Sequence, residues 1–263
     1  MQIDKIEKII EYFSSGNKKE SLIGVENEKF LMRKVDNKRV DYNDIKKILD
    51  LFSIKFGWKK IYEGENLIGL SDKDKSITLE PGNQIELSGD KHLNIHGVCA
   101  ESFDFQHKLK EVCLILGFNT LAVGYDPVSN LDDVPSNPKK RYEIMRKEMP
   151  KNGKTSLNMM YQTSGTQINL DYSSENDFKK KFKILSYLCP LTISLFANSS
   201  IVENKPSGYL SFRSKVWQDT SRAGLPEIFL EEMNYEKYAD FFIKIPLLFI
   251  KKKETYLFSE GKT

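Results

Sequence analysis

The amino-acid sequence predicts an α+β fold built on a mainly antiparallel sheet, and three observations carry that prediction. From Ile77 to Gly89 (ITLEPGNQIELSG) two alternating stretches flank a Pro-Gly-Asn turn, the pattern of a β-hairpin. Stretches with helical spacing, Asp41–Phe56 and Glu101–Leu116, stand between strand-length pieces and stop at Gly57 and Gly117. Strands and helices interleave without a regular βαβ rhythm, and no repeat or linker divides the chain, so residues 1–263 are expected to form one domain.

The elements follow in order. In the N-terminal MQIDKIEKIIEYF, Ile3, Ile6, Ile10 and Phe13 share one stripe of an amphipathic helix, and charges interrupt the apolar block that a signal peptide needs. Ser21–Arg33 (SLIGVENEKFLMR) reads as a strand, and Asp41 or Asn43 starts the helix that ends at Gly57. Between Trp58 and Gly89, breaks at Gly64-Glu65, Ser71–Lys75 and Pro81-Gly82-Asn83 leave a meander of short strands. The helix Glu101–Leu116, a strand at Phe118–Gly124 and a loop at Tyr125–Pro138 come next. They are followed by a short helix at Lys139–Glu148 and a strand at Met159–Tyr172 (MMYQTSGTQINLDY). Ser173 or Ser174 can cap the following helix, with Glu175 and Asp177 in the first turn, where the helix dipole favours acids. The most apolar stretch, Ile184–Ala197 (ILSYLCPLTISLFA), is too short for a membrane span and carries Pro190, so a kinked, buried core helix is expected.

Composition narrows the function classes. Forty basic against 37 acidic residues leave a net charge of +3, too slight to argue for nucleic acid or a membrane as partner. The runs at Lys179–Lys183 and Lys251–Lys253 read as solvated surface. Cys99, Cys113 and Cys189 are an odd number without CxxC spacing, which excludes a disulfide framework and a zinc knuckle and fits a reducing, cytoplasmic setting.

Three strands carry stripes of oxygen donors. In the hairpin, Ile77, Leu79, Ile85 and Leu87 fall on one face, leaving Thr78, Glu80, Gln84, Glu86 and Ser88 on the other. Glu26 and Glu28 share a face of GVENE, as do Gln167, Asn169 and Asp171 of QINLD. An antiparallel sheet with one wet face produces such alternation without any function. A wet face usually mixes Lys, Thr and Ser with its acids, however, whereas Glu26, Glu28, Glu80 and Glu86 would repel one another unless a cation lies between them. Carboxylate and amide oxygens are what a hard cation such as Mg²⁺ selects, and it brings phosphates with it. Arg141 and Arg213 stand out in a Lys-rich chain as side chains able to grip a carboxylate bidentately, although a surface ion pair would serve either alone. Gly153-Lys154-Thr155 lacks the first glycine of a P-loop, there is no GxGxxG, and His92 and His96, four apart, could share a helical face but form no HExxH motif.

GVENEKF, ITLEPGNQIELSG, RYEIMRKEMP, TQINLDYSSENDFKKKF and LFANSSIVENKPSGYLSFRSKVWQDT, in this order and spacing, resemble the plant-type glutamate-cysteine ligases. The resemblance runs from about Leu22 to about Phe249. It implies an ATP-dependent ligase that phosphorylates the γ-carboxylate of glutamate and joins it to the amine of cysteine, giving the γ-glutamylcysteine of glutathione biosynthesis. It also implies a glutamine synthetase-like fold, a curved sheet whose bowl holds Mg²⁺ and ATP. Carried over position by position, Glu26, Glu28, Glu80 and Glu86 match the metal-type acids, and Gln84, Gln167 and Asn169 the amides of the Mg²⁺–ATP site. Asn83 replaces a glycine of the family's LEPGGQFELSG; Arg141 and Arg213 match the arginines that hold glutamate, with Trp217 just beyond the second. Cys99 sits where plant members have a redox-sensitive cysteine whose partner would lie downstream of residue 263, so a buried or merely free thiol is expected. Family members continue past the point where this chain reads FSEGKT, which implies a fragment or a second chain supplying a C-terminal part. Two alternatives stand beside the leading reading: a ligase of this fold acting on another amine, and an inactive relic that binds nucleotide or a partner chain.

Overall fold

A computed structural model describes residues 6–220, 226–245, 247–252 and 255–258, and it shows a mixed helix-and-sheet protein. In chain order the elements are α1 (Ile6–Ser15), β1 (Ile23–Arg33), α2 (Tyr42–Phe56), β2 (Lys59–Glu63), β3 (Asn66–Asp72), β4 (Lys75–Leu79), β5 (Ile85–His92), α3 (Ile95–Leu116) and β6 (Phe118–Leu121). They continue with α4 (Lys140–Glu148), α5 (Ser156–Gln162), β7 (Thr166–Leu170), α6 (Glu175–Leu195), β8 (Ile201–Val202), β9 (Lys205–Pro206), α7 (Phe212–Gln218), α8 (Tyr235–Ile243), β10 (Phe249–Lys252) and β11 (Thr255–Phe258). The chain divides into two compact units, one of Ile23–Asn169 with Ala197–Ser221, the other of Met1–Leu22, Leu170–Phe196 and Arg222–Thr263.

The first unit holds a sheet of order β2-β3-β4-β5-β1-β6, with β7 also pairing β1. Every strand pairing given with its register is antiparallel, so the predicted sheet class holds. The hairpin alternation is realised: Ile77, Leu79, Ile85 and Leu87 are buried on one face, where they meet Ile45, Ile48, Leu49 and Phe52 of α2 and Phe105, Leu109 and Val112 of α3. Each fully buried aliphatic side chain of this kind contributes roughly 2 kcal/mol. The spacing of the α2 set, i, i+3, i+4, i+7, is what lays one stripe on the sheet. Asp41 accepts the Asp44 N–H as N-cap of α2, and Gly57 closes it at φ 74°, a conformation that costs glycine nothing.

Three expectations are corrected here. The helix placed at Glu101–Leu116 begins at Ile95, because Asn94 accepts from the N–H groups of His96 and Gly97 and so starts it earlier. His92 therefore ends β5 while His96 opens α3, and the two share no helical face; His92 pairs instead with Glu101 at 3.1 Å. The strand placed at Met159–Tyr172 is a helix to Gln162 and a strand only from Thr166 to Leu170.

In the second unit, α1, α6 and α8 meet through aromatic rings: Phe13 on Tyr238 with centroids 5.4 Å apart, Phe178 on Tyr235 at 5.2 Å and Phe182 on Tyr238 at 5.7 Å, while Phe182 also meets Phe229, ahead of α8, at 4.9 Å. Ser174 caps α6 by accepting the Asp177 N–H, as expected, while Ile3 of the predicted stripe lies outside the described residues. The stretch Ile184–Ala197 departs from expectation. It is helical through Pro190 as far as Leu195, but Ser186 is the only buried residue of α6, so it is no core helix among the described residues. Apolar character on all sides argues for burial, but it does not say which residues supply the cover. No helix among the described residues is long and apolar enough to cross a membrane.

Candidate functional site

The polar face of the hairpin is the centre of the site. Register places Glu86 opposite Glu28 on β1 and opposite Thr78 on β4, so two carboxylates face each other across strands where like charges repel. Glu86 is buried, and its Oε1 accepts the hydroxyls of Thr78 at 2.9 Å and Ser88 at 3.0 Å. Glu28 takes the Gly165 N–H at 2.8 Å through Oε2, while its own backbone N–H reaches the Gly165 carbonyl at 3.0 Å. Burial first, and then the charges of Glu80 and Glu86, push the Glu28 carboxyl up to about 7. Glu80 is raised by burial and by Glu86, against the lowering effect of Arg141, Lys139 and Tyr142. Glu26 is raised for the same two reasons, burial and Glu86.

The turn that carries Glu80 and Gln84 is built for close approach. Asn83 sits at φ 61°, in the left-handed region that glycine adopts without strain; its Nδ2 donates to the Val40 carbonyl at 3.2 Å, a bond that glycine would lose. A side chain on Gly82 would meet the Tyr161 carbonyl at 2.5 Å, so this residue must be glycine for the turn to lie on α5. Gln84 Nε2 donates to the carbonyls of Thr163 at 2.8 Å and Met160 at 3.2 Å, which fixes the amide's orientation and leaves Oε1 buried without a partner among the described residues.

Glu28, Glu80, Gln84, Gln167 and Arg213 line one cavity of about 220 Å³, together with Met145, Met159, Met160, Thr163 and Trp217. Arg213 lies against Gly165, whose absent side chain would come within 3.1 Å of Nη2, and its guanidinium stands 5.3 Å from the Trp217 ring. Its Nε is buried without a hydrogen-bond partner among the described residues. Two residues that line the cavity thus each carry a buried polar atom without a partner among the described residues, an acceptor on Gln84 and a donor on Arg213.

The other sequence candidates lie beside the cavity. Arg141 stands 3.9 Å from Glu80 and donates to the Tyr142 hydroxyl at 2.6 Å. Glu26 accepts from Asn169 Nδ2 at 3.3 Å, and Gln167 Nε2 donates to Asn169 Oδ1 at 3.3 Å, an exposed row along β7. Among the described residues, no three His, Cys, Asp or Glu side chains come together as a metal cage.

Several residues of the site were not read from the sequence. Lys139 is buried: its Nζ donates to the Leu79 carbonyl at 2.7 Å, and burial followed by the Arg141 charge lowers its pKa to about 8. The Tyr142 hydroxyl is 2.8 Å from the Leu79 carbonyl and 3.2 Å from Glu80, and burial raises its pKa. Asn137 ties this segment to the turn by donating to the Glu80 carbonyl at 2.7 Å. Arg39 forms a buried ion pair with Asp126 at 3.1 Å and also bonds the carbonyls of Gly82 and Tyr161. Asp126 in turn accepts the N–H groups of Val128 and Ser129. Nothing local marks Lys139, Tyr142 or Arg39 as buried.

Comparison with known proteins shows the family. The family model described as glutamate-cysteine ligase family 2 matches residues 22–259. A chloroplastic glutamate–cysteine ligase of Nicotiana tabacum is 41% identical over 97% of this chain and 50% of its own length. Glutamate–cysteine ligase A, chloroplastic, of Oryza sativa subsp. japonica is 41% identical over 97% of this chain and 53% of its own. The chloroplastic enzyme of Arabidopsis thaliana is 39% identical over 98% of this chain and 50% of its own. The chain therefore spans about half the length of the curated relatives it matches. Their chloroplastic names overturn the expectation of a cytoplasmic setting: free cysteines report a reducing environment, and more than one compartment provides one.

Proposed function

The chain belongs to glutamate-cysteine ligase family 2, and on that premise we propose that its acid-lined cavity is the nucleotide and amino-acid site of an ATP-dependent ligase joining glutamate to cysteine. The observation that carries the reading is the mutual repulsion of half-buried Glu28 and Glu80 with buried Glu86, beside the Gln84 Oε1 and Arg213 Nε that lack partners among the described residues. Facing carboxylates repel and favour a cation between them, as the raised pKa values of Glu28 and Glu80 reflect, and their oxygens suit a hard one.

In this reading the antiparallel sheet is the floor of a glutamine synthetase-like bowl, and residues 1–263 are the N-terminal portion of one catalytic domain. Glu26, Glu28, Glu80 and Glu86 would hold Mg²⁺, while Gln84, Gln167 and Asn169 would hold the nucleotide. Bound there, Mg²⁺ supplies positive charge that offsets the phosphoryl oxygens. Arg213, desolvated and seated against Gly165, would grip a carboxylate, and Arg141 adds a second positive charge beside Glu80. Met145, Met159, Met160 and Trp217 give the cavity an apolar wall that keeps water from an activated acyl group. Lys139 and Tyr142 hold the Leu79–Glu80 backbone and so fix where Glu80 stands.

The test follows phosphate release from Mg²⁺–ATP with glutamate alone, with glutamate and cysteine, and with glutamate and other amines. Release that needs cysteine and disappears in Glu86→Gln supports the reading. Release with another amine but not with cysteine refutes the assigned substrate, and none with any amine refutes the activity of these residues.

A further inference from the structure

We propose that the stretch Ile184–Phe196, the second half of α6 with its C-cap, is the seat of a polypeptide segment equivalent to the half of the relatives' length that residues 1–263 do not span. The inference rests on family membership and on the exposure of this helix, and it is independent of the ligase reading.

Ile184, Leu188, Leu191 and Leu195 recur at i, i+4, i+7 and i+11 and form one stripe; Ile184 is 57%, Leu191 52% and Leu195 67% exposed. Leu185, Ile193 and Phe196, the last 76% exposed, extend the apolar surface over about 200° of the helix circumference at 100° per residue. No charged residue occurs between Ile184 and Phe196. A helix apolar over so wide an arc belongs in an interior, and a contiguous exposed patch of this kind marks an interaction surface.

The first half of α6 shows the contrast. Phe178 and Phe182 pack into the aromatic cluster, and Lys179, Lys180 and Lys183 cover the remaining sides. Charge and apolar surface are thus separated along the helix axis and not across it, unlike a helix that floats at a lipid interface with one polar and one apolar face. The occupant follows from the comparisons. Relatives about 40% identical over nearly the whole of this chain carry about as much polypeptide again, so in them the equivalent helix exists together with a second half able to cover it.

The experiment coexpresses residues 1–263 with the unmatched remainder of the Nicotiana tabacum relative and, in a second format, joins the two by a flexible linker. Complex formation is measured by sedimentation, and amide hydrogen exchange is followed across residues 184–196. The proposal expects a one-to-one complex in which exchange of 184–196 slows at least tenfold. Leu188→Asp with Leu191→Asp should weaken the complex at least tenfold, whereas Ile54→Asp, an exposed position on α2, leaves it unchanged. Unchanged exchange at 184–196 in both formats overturns the proposal, as does a complex indifferent to the α6 substitutions. Protection of 184–196 in residues 1–263 alone, through self-association or on anionic vesicles, overturns it in favour of a second copy or a lipid surface.

Discussion

Replacing Glu28 by Gln is expected to stabilise the protein above neutral pH and to leave it nearly unchanged in acid. The carboxyl ionises at 4.5 when unperturbed, but in the folded state burial and the facing acids hold its proton up to about 7. Between those values folding takes up a proton, so the stability associated with this group is complete below pH 4.5 and is lost as pH rises through 7. The displacement corresponds to about 3 kcal/mol at 1.36 kcal/mol per pKa unit. The Gln oxygen can still accept the Gly165 N–H that Glu28 takes at 2.8 Å, so the substitution removes the charge and keeps the bond. Urea unfolding followed by tryptophan fluorescence is the assay, because Trp58 and Trp217 both belong to the unit that holds the site. The variant should gain about 3 kcal/mol at pH 8.5 and close to nothing at pH 4.5. Equal differences at both pH values, or a loss at pH 8.5, would refute the claim that ionised Glu28 is held at a cost.

Other perturbations test the surroundings of the site. Arg39→Met strands Asp126 in the interior and should cost about 3–5 kcal/mol in the same assay, with Asp126→Leu added to it recovering part of the loss. Asn83→Ala loses the bond to Val40 and keeps a left-handed backbone, a cost of about 2 kcal/mol, whereas Asn83→Gly should cost only about 1 kcal/mol. A thiol reagent should label exposed Cys99 in the native protein and reach Cys113 only on unfolding, since burial pushes the Cys113 thiol up to about 12; equal labelling rates would contradict the packing of α3.

The hairpin was legible because a period of two is unambiguous when a Pro-Gly-Asn turn fixes its centre, and α2 because Asp41 and Gly57 bracket it. Helix α5 was not: its seven residues make barely two turns, no side chain caps its start, and it is met at its end by the amide of Gln84, a contact far away in sequence. The acids of the site could be read because alternation groups them, and Glu28, Glu80 and Gln84 do line one cavity. Their supports could not. Lys139 hides in a basic run, and the pairing of Arg39 with Asp126 depends on how the chain closes, which no local pattern records. Leu185 and Leu191 show the converse: the sequence demands cover for them, and the described residues do not provide it.

The claim that the buried acids form a metal–nucleotide site is tested most directly by calorimetric titration of ATP into residues 1–263, with and without Mg²⁺, alongside Glu86→Gln. That variant retains an oxygen to accept the Thr78 and Ser88 hydroxyls, so a change in binding reports charge and not a collapsed hairpin. The account predicts saturable binding that requires Mg²⁺ and weakens at least tenfold in Glu86→Gln. Binding of equal strength in the variant, or binding indifferent to Mg²⁺, would contradict it.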